Sequence, residues 1–272
     1  MSEYELGKWD LSELAKNPKS PSFKKQIKDL ENQAMKFEKI KSNLNSKMTS
    51  KQFKIILQQV EEISHKMSKI GGYASLAYSS DTQSDEATAL LTRISKFGSD
   101  VENRLLFFDL WWKKQVDEKN ARRLIKSAGQ FSEYLRFKRL LAKYSLSEPE
   151  EKIINTLDVT GVSALVKLYD KITNAYVYTI TVDGKKRTMD REHLTTLVRS
   201  KKAKTREAAY KSLFSKYGEN KGVTGEIYQN IVLNWRDEGI GMRGFSSPIM
   251  IRNISNNIDN ETTKTLLDVC KK

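Results

Sequence analysis

Little in this sequence forces the chain to turn. Four prolines and thirteen glycines among 272 residues exclude a many-turned β-sandwich and leave room for long uninterrupted helices. A single cysteine, Cys270, excludes an internal disulfide framework and fits a reducing compartment, so the expected location is cytoplasmic. No apolar run is long enough to cross a bilayer: the densest, Leu105 to Trp112, is short and is interrupted by Asp109. The opening Met1-Ser2-Glu3-Tyr4-Glu5 is acidic and has no apolar core, which argues against a secretory leader. The sequons at Asn253 and Asn260 therefore carry no weight. Only two histidines occur, His65 and His193. They lie too far apart to form H-E-x-x-H, in which two imidazoles one helical turn apart hold zinc and the Glu activates water.

What is present is a globular composition, with 38% hydrophobic and 30% charged residues, long enough for one large domain or two lobes. The formal charge is +14, and it is concentrated. Residues 113–143 hold ten Lys/Arg against three Asp/Glu, and residues 185–211 hold the same ten against three. Such segments suit an acidic partner or nucleic acid, or else form solvated helix faces.

Helical spacing dominates the first half. Phe53, Ile56, Leu57, Val60, Ile63, Met67 and Ile70 recur at steps of three and four, and so do Leu90, Ile94, Phe97, Val101, Leu105, Phe108 and Trp112. Two long helices packed on each other are predicted, with the turn and caps in Tyr78 to Ser84. Leu124, Ala128, Phe131 and Leu135 continue the spacing, which predicts an amphipathic helix through the first basic segment with Arg122, Arg123, Lys126, Arg136 and Lys143 off its stripe. The plentiful aromatics Phe107, Phe108, Trp111, Trp112, Tyr134 and Phe137 interleave with these stripes and are assigned to the core rather than to base stacking. Ser147-Glu148-Pro149-Glu150 matches a capping box and starts a new helix.

The pattern breaks once. Tyr176 to Val182 is dense in β-branched and aromatic residues and runs into Asp183-Gly184, which predicts a β-hairpin near 176–189 lying on the helices. Asp190 then caps a further helix, and helical signal resumes through Leu194, Leu197, Ala208 and Phe214. Asn234 to Asn257 mixes glycines with Trp235, Phe245, Ile249 and Ile251 and is expected as an apolar loop. Asn260 is expected to cap a last helix, Glu261 to Lys272, which has no Gly, Asn or Pro to stop it and so predicts an interruption in mid-helix. The fold class is mainly α: a long-helix bundle lobe, an amino-terminal helical region over 1–145, and a second helical region with the hairpin over 146–272.

No catalytic constellation is complete. Gly239-Ile240-Gly241-Met242-Arg243-Gly244 satisfies G-x-G-x-x-G, but it follows a helical run and precedes Pro248, where a dinucleotide fingerprint needs a strand before it and a helix after it. Adjacent acids at Glu61-Glu62, Asp117-Glu118 and Glu150-Glu151 point about 100° apart on a helix and are expected to be solvated. His65 is off its stripe, His193 falls in a first turn beside Asp190, and Cys270 has no histidine near it in sequence.

Several short landmarks nevertheless occur in a telling order. Trp9-Asp10-Leu11-Ser12-Glu13-Leu14, then Tyr73 to Thr82, Phe107-Phe108, Leu146 to Ile154, Asp183-Gly184, Arg206-Glu207-Ala208-Ala209-Tyr210 and Arg243-Gly244-Phe245 together resemble the oligoendopeptidase F group of the thimet-type zinc metallopeptidases. The resemblance runs from near residue 9 to the end. It implies a helical lobe forming one wall of a deep channel, in a cytosolic enzyme that cleaves short, unstructured peptides with zinc-activated water. The family's zinc motif and further Glu ligand come later than anything here, so no catalytic or metal-binding residue is carried over. Arg243, Gly244 and Phe245 are the candidate inter-lobe or substrate-channel loop, and the missing carboxy-terminal catalytic domain is the expected partner beside short peptides. The alternative is a non-catalytic basic helical module for an acidic partner or nucleic acid.

Overall fold

The computed structural model describes residues 9–272, so the acidic start Met1 to Glu5 lies outside the described residues. Three helices build the first core. In α1 (Pro21–Glu38) the Ser20 hydroxyl accepts from the Phe23 amide, and Phe23, Leu30, Ala34 and Phe37 form one buried stripe. A capping box starts α2 (Ser50–Ser80): the Thr49 amide donates to Gln52 Oε1 at 2.9 Å while Thr49 Oγ1 accepts from the Gln52 amide at 3.2 Å. Ser84 caps α3 (Asp85–Leu110), whose first turn carries Asp85 and Glu86 where the helix dipole favours anions. Both predicted stripes on α2 and α3 are buried or half-buried along their length, because i, i+3, i+4 spacing puts them on one face each.

At the end of α3 the chain widens into a π-turn, Trp111–Gln115. One extra residue in the turn brings both Trp111 and Trp112 inward, beside Phe37, Phe53, Phe107 and Phe108. The Trp112 indole donates to the Leu135 carbonyl at 3.0 Å. Arg139 donates to the carbonyls of Trp112 and Val116 at 3.1 and 3.0 Å, satisfying groups that a helix end leaves open. The helix expected through Leu124 to Leu135 is two: α4 (Glu118–Ser127) and α5 (Ser132–Leu140) are separated at Gly129, whose φ of 60° is left-handed and ends a helix. Spacing alone hid this break, since the apolar residues keep their rhythm across it.

The second half starts with α6 (Glu148–Asp158) against α3, along a polar seam in which Ser99 donates to the Asn155 carbonyl at 2.8 Å and Asn155 donates to Asn103 at 3.0 Å. Next, α7 (Val162–Asn174) sits at the α2–α3 turn, where Tyr78 donates to the Lys167 carbonyl. The hairpin pairs β1 (Tyr178–Val182) with β2 (Lys185–Met189) antiparallel, Val182 opposite Lys185. Asp183 and Gly184 have φ of 50° and 75°, the type I′ pair that matches strand twist. Tyr178, Ile180 and Val182 alternate inward to a small second core with Tyr176, Leu194 and Ala209, contributed in part by α8 (Arg191–Leu197) and α9 (Ala203–Glu219). Among the described residues, mainly helical structure with one two-stranded hairpin is thus what forms.

The glycine-rich region is not a loop. From α10 (Lys221–Arg236) the chain continues into a second π-turn, Asp237–Met242, and after a short bend into α11 (Pro248–Ser255). Gly239 lies against Ile251, where a Cβ would collide with the isoleucine side chain, and Gly244 takes a φ of 73°. These two glycines have packing and backbone roles at the end of a helix, opposite to the start-of-helix geometry that a pyrophosphate requires. The last helix, α12 (Asn260–Cys270), is capped by Asp259, which accepts from the Thr262 amide at 2.6 Å; Asn260 instead accepts from Asn253.

The aromatic core predicts its own sensitivity. Trp112→Ala removes a fully buried ring and its hydrogen bond, and is expected to lower stability by roughly 3–5 kcal/mol, read as a shift of the urea unfolding midpoint.

Candidate functional site

Glu151 is where the two halves of the fold meet. The cap of α6 sets its direction: the Glu150 carboxylate accepts from the amide and hydroxyl of Ser147 at 2.9 and 2.6 Å, fixing the first turn. Glu151, one residue on and so about 100° round the helix, faces inward, where Oε1 accepts from the Leu146 amide at 2.8 Å. Arg243, just past the second π-turn, meets it with both terminal nitrogens, Nη1 to Oε1 at 2.8 Å and Nη2 to Oε2 at 2.9 Å. The same guanidinium donates from Nε to Glu238 at 2.8 Å and from Nη1 to the Tyr144 carbonyl at 3.2 Å. Beside it Phe245 stacks face to face on Tyr144, centroids 3.7 Å apart and planes within 7°.

This clasp lines a cavity of about 430 Å³ bounded by α3, α6 and the α10–α11 region. Asp109 and Lys113 form another part of the wall, paired with each other, and Asp109 also accepts from Lys138 at 2.8 Å. Trp235 and Asn155 complete it. Burial pushes the Glu151 carboxyl up, but the hydrogen bonds from Arg243 and from the Leu146 amide, with the arginine's charge, outweigh it and hold the group below the usual 4.5. Arg243 is raised above its ordinary value, by its bond to Glu151 first and Glu238 next, against the cost of burial. The clasp is therefore charged on both sides at neutral pH.

Arg243, Gly244 and Phe245 lie together as expected from their order, but Arg243 and Phe245 point inward. Glu150-Glu151 is not a solvated pair: Glu150 is exposed and serves the cap, while Glu151 is buried. Glu61 and Glu62 are exposed, and Asp117 caps α4. His65 is exposed on α2; His193 contacts Asp190 through its amide and Nδ1, both at 2.8 Å; Cys270 is exposed. Glu151, Asp109 and Tyr144 escaped sequence reasoning. For Glu151 the available signal was the stripe Glu151, Asn155 and Asp158, whose spacing of four and three puts polar groups on one face of α6.

Zinc, which the resemblance implies, needs three or four converging donors. Among the described residues no three His, Cys, Asp or Glu side chains are placed to hold a metal.

Residues 114–177 match the family model described as Oligopeptidase F. No curated protein matches. The fold is that of oligoendopeptidase-F from Enterococcus faecium, with a TM-score of 0.76 at 21% identity over 91% of this chain and 49% of that one. A protein of Chlamydophila abortus for which peptidase activity is suggested matches with a TM-score of 0.57 at 15% identity, over 96% of this chain and 44% of that one. The chain therefore spans about half the length of the structures it matches, and it is similar to the amino-terminal part of the oligoendopeptidase F-like peptidases.

The clasp is testable by dismantling it in stages. Arg243→Ala leaves a buried carboxylate alone and should cost about 3–5 kcal/mol, whereas replacing both partners by apolar residues of similar volume should restore most of that loss. Because the folded Glu151 carboxyl titrates below its unfolded value, its contribution is complete above pH 4.5 and is lost as pH falls through the folded pKa. Glu151→Gln should flatten that part of a stability profile measured by urea unfolding across acidic pH.

Proposed function

We propose that this chain forms the amino-terminal channel wall of a zinc metallo-oligopeptidase that hydrolyses short, unstructured peptides in the cytoplasm, with the metal and the chemistry carried by a segment it does not contain. The observation that carries this reading is an imbalance in apolar exposure. Among the described residues, five large apolar side chains stay exposed before residue 146 and eighteen after it, among them Tyr210, Phe214, Tyr228, Leu233 and Leu266. The front bundle closes its own core; the second half does not, and surface of that kind marks a contact with something further. Its breadth along α9, α10 and α12 suits a second lobe better than a small ligand, and the matched structures have about as much chain again.

The alternative, a basic module for an acidic partner or nucleic acid, draws less support. Most cations of the first basic segment are engaged within the fold: Lys113 and Lys138 with Asp109, Arg122 and Arg139 with Glu118, Arg136 with Glu133, and Lys114 and Arg123 with backbone carbonyls. Only the second segment, with Lys185, Lys186 and Arg187 exposed on β2, keeps that option open.

Adding a separately produced carboxy-terminal segment that bears H-E-x-x-H should yield a complex that cleaves a short peptide only with zinc, and should suppress binding of a hydrophobic dye to this chain. Absence of any association between the two would sink the proposal. Nucleic-acid binding that is tight at low salt and falls steeply as salt rises would favour the basic module instead.

A further inference from the structure

The helix α6 is inverted. Its polar Glu151 and Asn155 face the protein, while Ile153 and Leu157 face out. Burial of apolar surface normally runs the other way, and here the inward polar side chains are accounted for: Glu151 by Arg243, and Asn155 by Asn103, while Ser99 donates to the Asn155 carbonyl. The outward apolar residues have no such account. With Leu146, Ile154, Val162 and Met242 they line a groove of about 610 Å³ between α6 and the second π-turn, adjoining the clasp cavity.

The groove's charge is opposite to that of the molecule. The chain carries a formal +14, yet every ionisable side chain lining the groove is an acid: Glu150, Asp158, Asp237 and Glu238. They are not equally free. Glu238 is held by Arg243, and Glu150 is held in the cap by the Ser147 hydroxyl and amide, which keep its carboxyl below the usual range. Among the described residues, Asp237 is engaged through Oδ1 alone, by its exposed neighbour Arg236 at 2.7 Å, and Asp158 accepts only from the Ser163 hydroxyl at 3.1 Å. Asp158 and Asp237 thus offer carboxylates to a visitor at the rim of an apolar floor. A local negative field on a strongly positive protein selects cations that the rest of the surface repels.

We infer that this groove binds an extended peptide segment through an apolar side chain on Ile153, Leu157 and Met242 and an adjacent guanidinium or ammonium on Asp158 and Asp237. This deepens the proposed channel-wall function by naming the substrate class, short peptides in which a basic residue neighbours an apolar one. The groove lies wholly within this chain, so its binding is measurable without catalysis.

The probe is a fluorescent peptide containing Leu-Arg pairs, compared by anisotropy with a copy in which citrulline, neutral and nearly isosteric, replaces Arg. The Arg peptide should bind, and the citrulline copy about tenfold more weakly. Asp158→Asn and Asp237→Asn should each cost about twofold to fivefold for the Arg peptide only, and together abolish the preference. Arg236→Gln frees Asp237 and should tighten the Arg peptide. Met242→Gln should weaken both peptides alike. All four positions are exposed, and unchanged circular dichroism and unfolding midpoints will separate loss of binding from loss of fold. Equal binding of the two peptides, or a preference that survives the double Asp→Asn variant, overturns the inference. So does displacement of the peptide by an associating carboxy-terminal segment, which would make the groove a seam between lobes. Failure here leaves the complementation experiment standing; failed complementation with the peptide preference intact counts against the peptidase reading alone.

Discussion

A guanidinium that is four-fifths buried, as Arg243 is, keeps its charge only if the protein replaces the water it has lost. Glu151 does so with both oxygens, Glu238 with one, and the Tyr144 carbonyl with another. That requirement ties together α6, the turn before it and the end of the second π-turn, which no run of sequence connects. The stack of Phe245 on Tyr144 closes the apolar side of the same joint. A buried pair of this kind adds little net stability compared with a well-packed apolar contact, but it punishes any arrangement that leaves either partner alone. Its value is in specifying one position of the back half against the front.

The two halves solve the burial problem differently. In the front, α1, α2 and α3 close around Phe37, Phe53, Phe108, Trp111 and Trp112, and the π-turn supplies the extra residue that lets adjacent tryptophans both turn inward. In the back, the hairpin and α9 enclose only a small cluster, and α6, α10 and α12 leave apolar side chains in solvent. Between α3 and α6 the halves are joined by the polar contacts of Ser99, Asn103 and Asn155. That leaves the outward side of α6 available, so the inversion of this helix and the open groove beside it have one cause: its inner face is committed to the hydrogen bonds and ion pair of the joint.

How much of this was legible depended on how far apart the interacting groups stand. The stripes of α2 and α3, the turn within Tyr78 to Ser84, the Asp190 cap, the Ser147–Glu150 box and the Asp183-Gly184 turn were all visible, because each is a relation among residues within a few positions. Three local signals misled. The apolar rhythm from Leu124 to Leu135 ran across a break made by the backbone of Gly129, the glycines after Asn234 suggested a loop where a π-turn and helix form, and Asn260 was preferred as a cap to Asp259. In each case the deciding factor was backbone geometry or competition from a neighbouring side chain, neither of which periodicity registers. The order of short motifs carried the resemblance to oligoendopeptidase F, and it singled out Arg243, Gly244 and Phe245 without revealing what they touch.

By itself, then, the amino-acid sequence determined the long helices α2 and α3 with their buried faces, the Ser147 and Asp190 caps and the hairpin turn, since side-chain spacing and turn chemistry act over one or two turns of chain. Only the tertiary structure decided that Glu151 is buried, that Arg243 reaches it across 92 residues, and that α6 presents its apolar side to a groove ringed by acids on a basic protein. A carboxylate on a helix looks solvated until the one guanidinium able to replace its water is brought to it, and nothing local records which guanidinium that will be.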